Sequence, residues 1–186
     1  NDQHSYIESA KEKGYEVLLL DSPIISHLIQ KLETSNEKIK FTRVDADVVD
    51  KLIQKDEKEV SKLNDKEKEK LKNIVEETVP KEKYTVQLEA IDSNSAPFVI
   101  TLPEFMRRMK EMQQSGGNGM FGNMPEMYNL IVNVNNPICS EILNSKSKTK
   151  KERLINQSLD LAKLSQNLLK GEELTSFIKR SFDLIK

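Results

Sequence analysis

The chain has 186 residues, 37% hydrophobic and 32% charged, enough apolar material for one ordinary core or two small ones. Its 29 Lys and Arg nearly cancel 30 Asp and Glu, which argues against nucleic acid or an anionic membrane as partner, because both demand a net basic face. No apolar run approaches the roughly eighteen residues that span a bilayer, and a lone cysteine (Cys139) beside two histidines (His4, His27) excludes an internal disulfide, argues against a zinc site and fits a reducing cytoplasm.

The start, NDQHSYIESAKEKG, has neither the basic nor the apolar region of a signal peptide and runs without methionine into a helix, as a piece of a longer protein would. Ser5–Lys13 reads as that helix, closed by Gly14 in the position a C-terminal cap prefers. YEVLLL (Tyr15–Leu20) has the length of a strand. Asp21-Ser22-Pro23 then opens a helix over Ile24–Glu33, with Ile25, Leu28, Ile29 and Leu32 on one face, and Lys40–Val44 reads as a second strand. This small α/β unit, 1–44, is too short to bury a core alone and reads as the tail of a preceding domain.

A second domain, 45–186, begins with a Lys/Glu-rich stretch, Ala46–Lys83, that reads as a solvated helical face. Within it Asn64 caps a helix over Asp65–Val79, with Leu71, Ile74, Val75 and Val79 inward and Pro80 just beyond. YTVQLEAI alternates, Tyr84, Val86, Leu88 and Ala90 against Thr85, Gln87 and Glu89, which is the pattern of a half-buried strand. After the turn DSNSAP, Phe98–Leu102 is a second strand and Asn129–Val134 a third. The fold class is therefore α+β, with a three-stranded sheet.

The segment between the second and third strands, EFMRRMKEMQQSGGNGMFGNM (Glu104–Met124), holds five of the six methionines and four of the six glycines. Phe105, Met109 and Met112 share one helical face with Met106 beside it; Met120, Phe121 and Met124 follow in a glycine-rich loop. Three readings stand: a core helix with a loop, a soft-metal site in which Met106, Met109 and Met112 supply thioethers to copper(I), and an adaptable surface for many apolar partners. The glycines favour the last, since a buried helix needs no adjustable neighbour.

From Lys151 to Lys170 two apolar stripes run along one helix, Leu154, Leu161, Leu164 and Leu168 beside Ile155, Leu159, Ala162 and Leu169, so it is covered from two directions. Gly171 ends it. Leu174, Phe177, Ile178, Phe182 and Ile185 then form a second amphipathic helix. The pair is either a self-association surface or an intramolecular hairpin that closes the domain. No GxxxxGK[ST], HExxH or GxSxG is present, and nothing pairs with Cys139, so no catalytic residue is assigned.

In this order the motifs resemble the heat-shock protein 90 family in its bacterial form, over essentially the whole chain. YIESAKEKGYEVLLLDSPIISHLIQKLE is similar to the end of the family's middle domain, and VQLEAIDSNSAPFVI with the methionine segment and LINQSLDLAKLSQNLLKGEELTSFIKRSFDLIK to its C-terminal domain. The resemblance implies a homodimer formed by the last two helices as a four-helix bundle, with Leu154, Leu161, Leu164, Leu168, Phe177, Ile178, Phe182 and Ile185 at the interface. It implies binding of unfolded client proteins by Phe105, Met106, Met109, Met112, Met120, Phe121 and Met124. The intact protein would be a cytoplasmic ATP- and Mg-dependent chaperone, but its ATP-binding domain and the arginine that completes ATP hydrolysis would lie upstream, so this part has no cofactor and is not an enzyme. Family members often read NPDH where this chain has NNPI (Asn135–Ile138). The chain also ends without the acidic MEEVD-type tail, so no co-chaperone recruited by such a tail is expected.

Overall fold

A computed structural model describes residues 3–22, 24–47, 52, 60–103, 106 and 127–185. They belong to two compact units, Gln3–Gln54 and Lys55–Lys186.

In the first unit, helix α1 (His4–Glu12) ends where Gly14 takes the left-handed conformation at φ +76. The N–H of Tyr15 returns to the Ala10 carbonyl and that of Gly14 to Lys11, so carbonyls otherwise orphaned by the helix end are satisfied. Helix α2 (Ile25–Ser35) follows. Neither Tyr15–Leu20 nor Lys40–Val44 forms a strand, so among the described residues the expected α/β unit is helical with irregular connections. A strand needs a neighbour for its backbone groups, and neither run pairs with the other. Leu18, Leu19 and Leu20 are exposed accordingly, as are Leu28 and Leu32 of the apolar face read for α2. Asp45 accepts from the Arg43 guanidinium (2.7 Å) and from the Gln3 amide (2.7 Å). Burial works to raise the Asp45 pKa, but these bonds outweigh it and hold the carboxyl below its ordinary value.

The second unit opens with α3 (Asp65–Thr78), started by a capping box: Asn64 Oδ1 accepts from the Glu67 N–H (3.0 Å) and Glu67 Oε2 from the Asn64 N–H (2.9 Å). Strands β1 (Tyr84–Glu89), β2 (Phe98–Thr101) and β3 (Tyr128–Asn133) form one sheet in the order β1-β3-β2. The last strand inserts between the first two, parallel to β1 and antiparallel to β2. Register places Val86 and Ile100 on either side of Leu130, and Leu88 and Phe98 on either side of Val132. That face is covered by Leu71 and Val75 of α3, by Cys139, Ile142 and Leu143 of α4 (Pro137–Asn144), and by Ile155, Leu159 and Ala162 of α5 (Lys148–Ser165). Leu71, Ile100, Leu130, Ile142 and Ile155 are fully enclosed, and burial of such a side chain stabilises by about 1.5–3 kcal/mol.

The chain closes with α6 (Gly171–Ile185). Gly171 does not end α5, as the sequence reading had it. The helix stops at Ser165, and Asn167 takes the left-handed cap position at φ +56. The Leu168 N–H bonds the Lys163 carbonyl (2.9 Å) and the Asn167 N–H that of Leu164 (3.1 Å), the pattern of a Schellman turn. Asparagine tolerates this conformation because its short polar side chain costs little there, so no glycine was needed. Gly171, at φ +57, opens α6 instead.

Candidate functional site

Helices α5 and α6 form an antiparallel hairpin. Gln157 Nε2 donates to Ser181 Oγ (3.1 Å), Arg180 pairs with Asp160, and Lys163 Nζ lies 3.3 Å from Glu173. Lys163 also reaches Asp160 (3.5 Å), so Arg180, Asp160, Lys163 and Glu173 form one alternating chain of charges across the hairpin. Tyr84 of β1 senses it: burial, then the carboxylates of Glu173 and Asp160, push its hydroxyl up to about 12.

This contact fixes where the remaining apolar side chains point. On α5, Leu161 and Leu164 each follow one residue after a side chain facing α6, and on α6, Ile178 follows Phe177 and Phe182 follows Ser181. A one-residue step turns about 100° around a helix. Because the helices are antiparallel, the two steps turn in opposite senses seen from one end, and both sets emerge on the same flank. Leu161 is 49% exposed, Leu164 44%, Ile178 44% and Phe182 62%. Four large apolar side chains on one flank form the kind of patch that marks an interaction surface.

Of the other residues assigned to the dimer interface, Leu154 and Leu168 are half-buried against the core and Phe177 is 8% exposed, enclosed by the chain itself. Ile185 closes α6. Of those assigned to client binding, Met106 is half-buried; Phe105, Met109, Met112, Met120, Phe121 and Met124 lie outside the described residues. Met127, just before β3, is exposed.

A group that sequence reasoning missed sits where β3 leaves the sheet. Asn133, Asn135 and Asn136 are all buried. Asn133 Oδ1 accepts from the N–H of Ile91 (3.3 Å) and of Asn135 (3.1 Å), and its Nδ2 donates to the Asp92 carbonyl (2.8 Å). Asn135 bridges to the Lys62 N–H (2.8 Å) and the Val60 carbonyl (3.2 Å) ahead of α3. Asn136 donates to the Ser95 carbonyl (2.9 Å) and caps α4 through the Ile138 N–H (2.9 Å), with Pro137 in the first turn. The NNPI turn thus joins the β1–β2 crossing, the entry to α3 and the start of α4. Asn-Pro before an apolar run was the signal available.

Among the described residues no three His, Cys, Asp or Glu side chains converge to hold a metal, and no helix is long and apolar enough to cross a membrane. A cleft of about 340 Å³ beside Glu33, Ile39, Lys40 and Phe41 is open to solvent. Burial pushes the Cys139 thiol up to about 12, far from the activated range.

The class these features define is an α+β domain with a mixed sheet, helices on one face and a terminal hairpin with an apolar flank. The family model described as Hsp90 protein matches residues 2–183, and the chain belongs to the Hsp90 family. It is similar to proteins named chaperone protein HtpG: 32% identical over 253 aligned positions to that of Bacteroides thetaiotaomicron, with all of this chain and 37% of the relative covered. The same identity and coverage hold for Bacteroides fragilis strain 638R, and Porphyromonas gingivalis strain ATCC 33277 gives 33% over 166 positions, 87% of this chain and 24% of the relative. The chain therefore spans little more than a third of the length of the Bacteroides relatives it matches.

Proposed function

We propose that this chain is the self-associating and client-binding part of an ATP-dependent, cytoplasmic Hsp90-type chaperone, and that ATP and Mg are bound by other parts of the longer protein. The observation that carries the proposal is the exposed flank of Leu161, Leu164, Ile178 and Phe182 on a hairpin joined by the Gln157–Ser181 and Lys163–Glu173 contacts. Its occupant is a second copy. The basic first turn of α5 (Lys148, Lys150, Lys151) and the acidic first turn of α6 (Glu172, Glu173) lie at opposite ends of the hairpin, so an antiparallel copy brings ends of opposite sign together, although Lys150, Lys148 and Glu173 are already paired within the chain with Glu141, Glu152 and Lys163. Client binding rests on the methionine-rich composition of Glu104–Met124, suited to apolar partners of varied shape.

Sedimentation equilibrium tests the first part. A dimer at micromolar concentration is expected, and Leu161→Asp with Phe182→Asp should give a folded monomer. A monomeric parent refutes the dimer. For the second part, Met109, Met112, Met120 and Met124 are replaced together by serine. If they are client contacts, the melting temperature falls by only a few degrees while suppression of a model client's aggregation drops sharply. Were they core residues, each would cost about 2–5 kcal/mol and the variant would not fold.

A further inference from the structure

The apolar flank is continuous only if α6 lies on α5 at one particular rotation about its own axis. Apolar packing alone fixes that rotation weakly. Among the described side chains of α6 only Phe177 is buried, and none of them joins the core cluster built on the sheet. Burial of apolar surface is non-directional, whereas hydrogen bonds and ion pairs demand distance and angle together. The side chains of Asp160 and Lys163 are each 13% exposed, so the α5 half of each cross-helix pair is shielded, while their α6 partners Arg180 (40%) and Glu173 (57%) reach solvent. Partly buried ion pairs add little net stability after desolvation, and their best-attested use is to select one register over another.

We infer that the Asp160–Arg180 pair, continued through Lys163 to Glu173, is the positioning device that sets the rotation of α6 and so brings Ile178 and Phe182 onto the same flank as Leu161 and Leu164. The partner addressed is a second copy of the chain, so the inference rests on the dimer reading above. A one-residue rotation of α6, about 100°, would carry Ile178 and Phe182 off that flank and turn Phe177 outward, while the cluster built on the sheet stays as it is. Asp160 and Arg180 need not touch the second copy: they act through the helix they orient.

The test uses the whole chain and two readouts. In the first, dimer affinity is measured by sedimentation for Asp160→Arg, Arg180→Asp and the swap carrying both. Each single variant should weaken association at least tenfold while keeping a cooperative melt, and the swap should recover part of that loss, because it restores the pair across the hairpin but sets like charges at positions 160 and 163. Asp160→Asn, which keeps the shape and removes the charge, should weaken association in the same direction and covers the case in which a reversed charge fails to fold. In the second, Gln157→Cys and Ser181→Cys are introduced together and the rate of disulfide closure between α5 and α6 is followed. It should fall at least tenfold with Asp160→Asn and recover in part in the swap. This readout needs no dimer. A monomeric parent would overturn the dimer reading, while unchanged closure in the single variants would overturn the positioning role. Single variants that dimerise as the parent does, or a swap no better than the singles, would also overturn it.

Discussion

Asn133 is fully enclosed at the end of β3, and both polar ends of its side chain have backbone partners. Its amide supplies polar partners just past the end of β1, where the chain of Ile91–Asp92 begins to cross toward β2. Asn133→Leu preserves the volume and abandons the N–H groups of Ile91 and Asn135 and the carbonyl of Asp92. An unsatisfied buried group costs about 1–3 kcal/mol, so urea unfolding should show a loss of roughly 3 kcal/mol or more. A loss below about 1 kcal/mol would mean that water reaches these groups. Cys139 gives a residue-scale prediction of the opposite kind. Its thiol is held neutral by burial, with the folded pKa near 12. The stabilisation is complete below the ordinary thiol value, about 8.5, and is lost as pH climbs toward 12. At pH 8 alkylation should therefore follow global unfolding, and rapid labelling of the native chain by mass spectrometry would contradict the placement. None of this was legible beforehand: a run of asparagines reads as a turn, and only tertiary contact shows that the turn is buried.

The elements that could be read from the sequence are those whose cause is local. Asn64 with Glu67 forms a capping box, so α3 begins where the sequence places it. Alternation in Tyr84–Glu89 translates directly into the core face of β1. The Tyr15–Leu20 run misled because pairing is not local, and α4 escaped notice because it has only eight residues and its cap lies within the asparagine run. The two apolar stripes of α5 were visible, but periodicity says nothing about which stripe the core takes: Ile155, Leu159 and Ala162 went inward, and Leu161 and Leu164 stayed exposed. The boundary between α5 and α6 allows a quantitative test. Asn167 is left-handed at φ +56, so Asn167→Gly should be neutral or slightly stabilising. Asn167→Val should cost about 1–2 kcal/mol through the clash of Cβ with the backbone. Gly171→Ala isolates the same strain, since an added Cβ there meets nothing within 4 Å. Thermal melts of the three variants, read against the parent, decide the matter; Asn167→Val melting like the parent would refute the cap.

At the scale of the whole molecule, the core cluster of the second unit is built, among the described residues, from that unit's own sequence. Every buried member of the cluster lies between Leu71 and Ala162, and the half-buried apolar side chains packed on it extend this only to Leu63 and Leu168. The face proposed for self-association lies on α5 and α6, within the same unit. Removing residues 1–54 should therefore leave a chain that melts cooperatively, because the burial that opposes conformational entropy is retained. The first unit offers no comparable core: Leu18, Leu19, Leu20, Ile24, Leu28 and Leu32 are exposed among its described residues. Expressed alone, 1–54 should show little helix by circular dichroism, since helices of nine and eleven residues are marginal without packing. The shortened chain, 55–186, should dimerise with an affinity within a few-fold of the parent. Solubility should improve as well, because the truncation removes a run of exposed leucines that a neighbouring molecule can otherwise cover. If 55–186 instead unfolds without a cooperative transition, the apolar contacts of its sheet and helices are insufficient alone, and the division of the chain into separately stable units fails. A chain that folds but no longer dimerises would place part of the interface in the first unit, away from the α5–α6 flank.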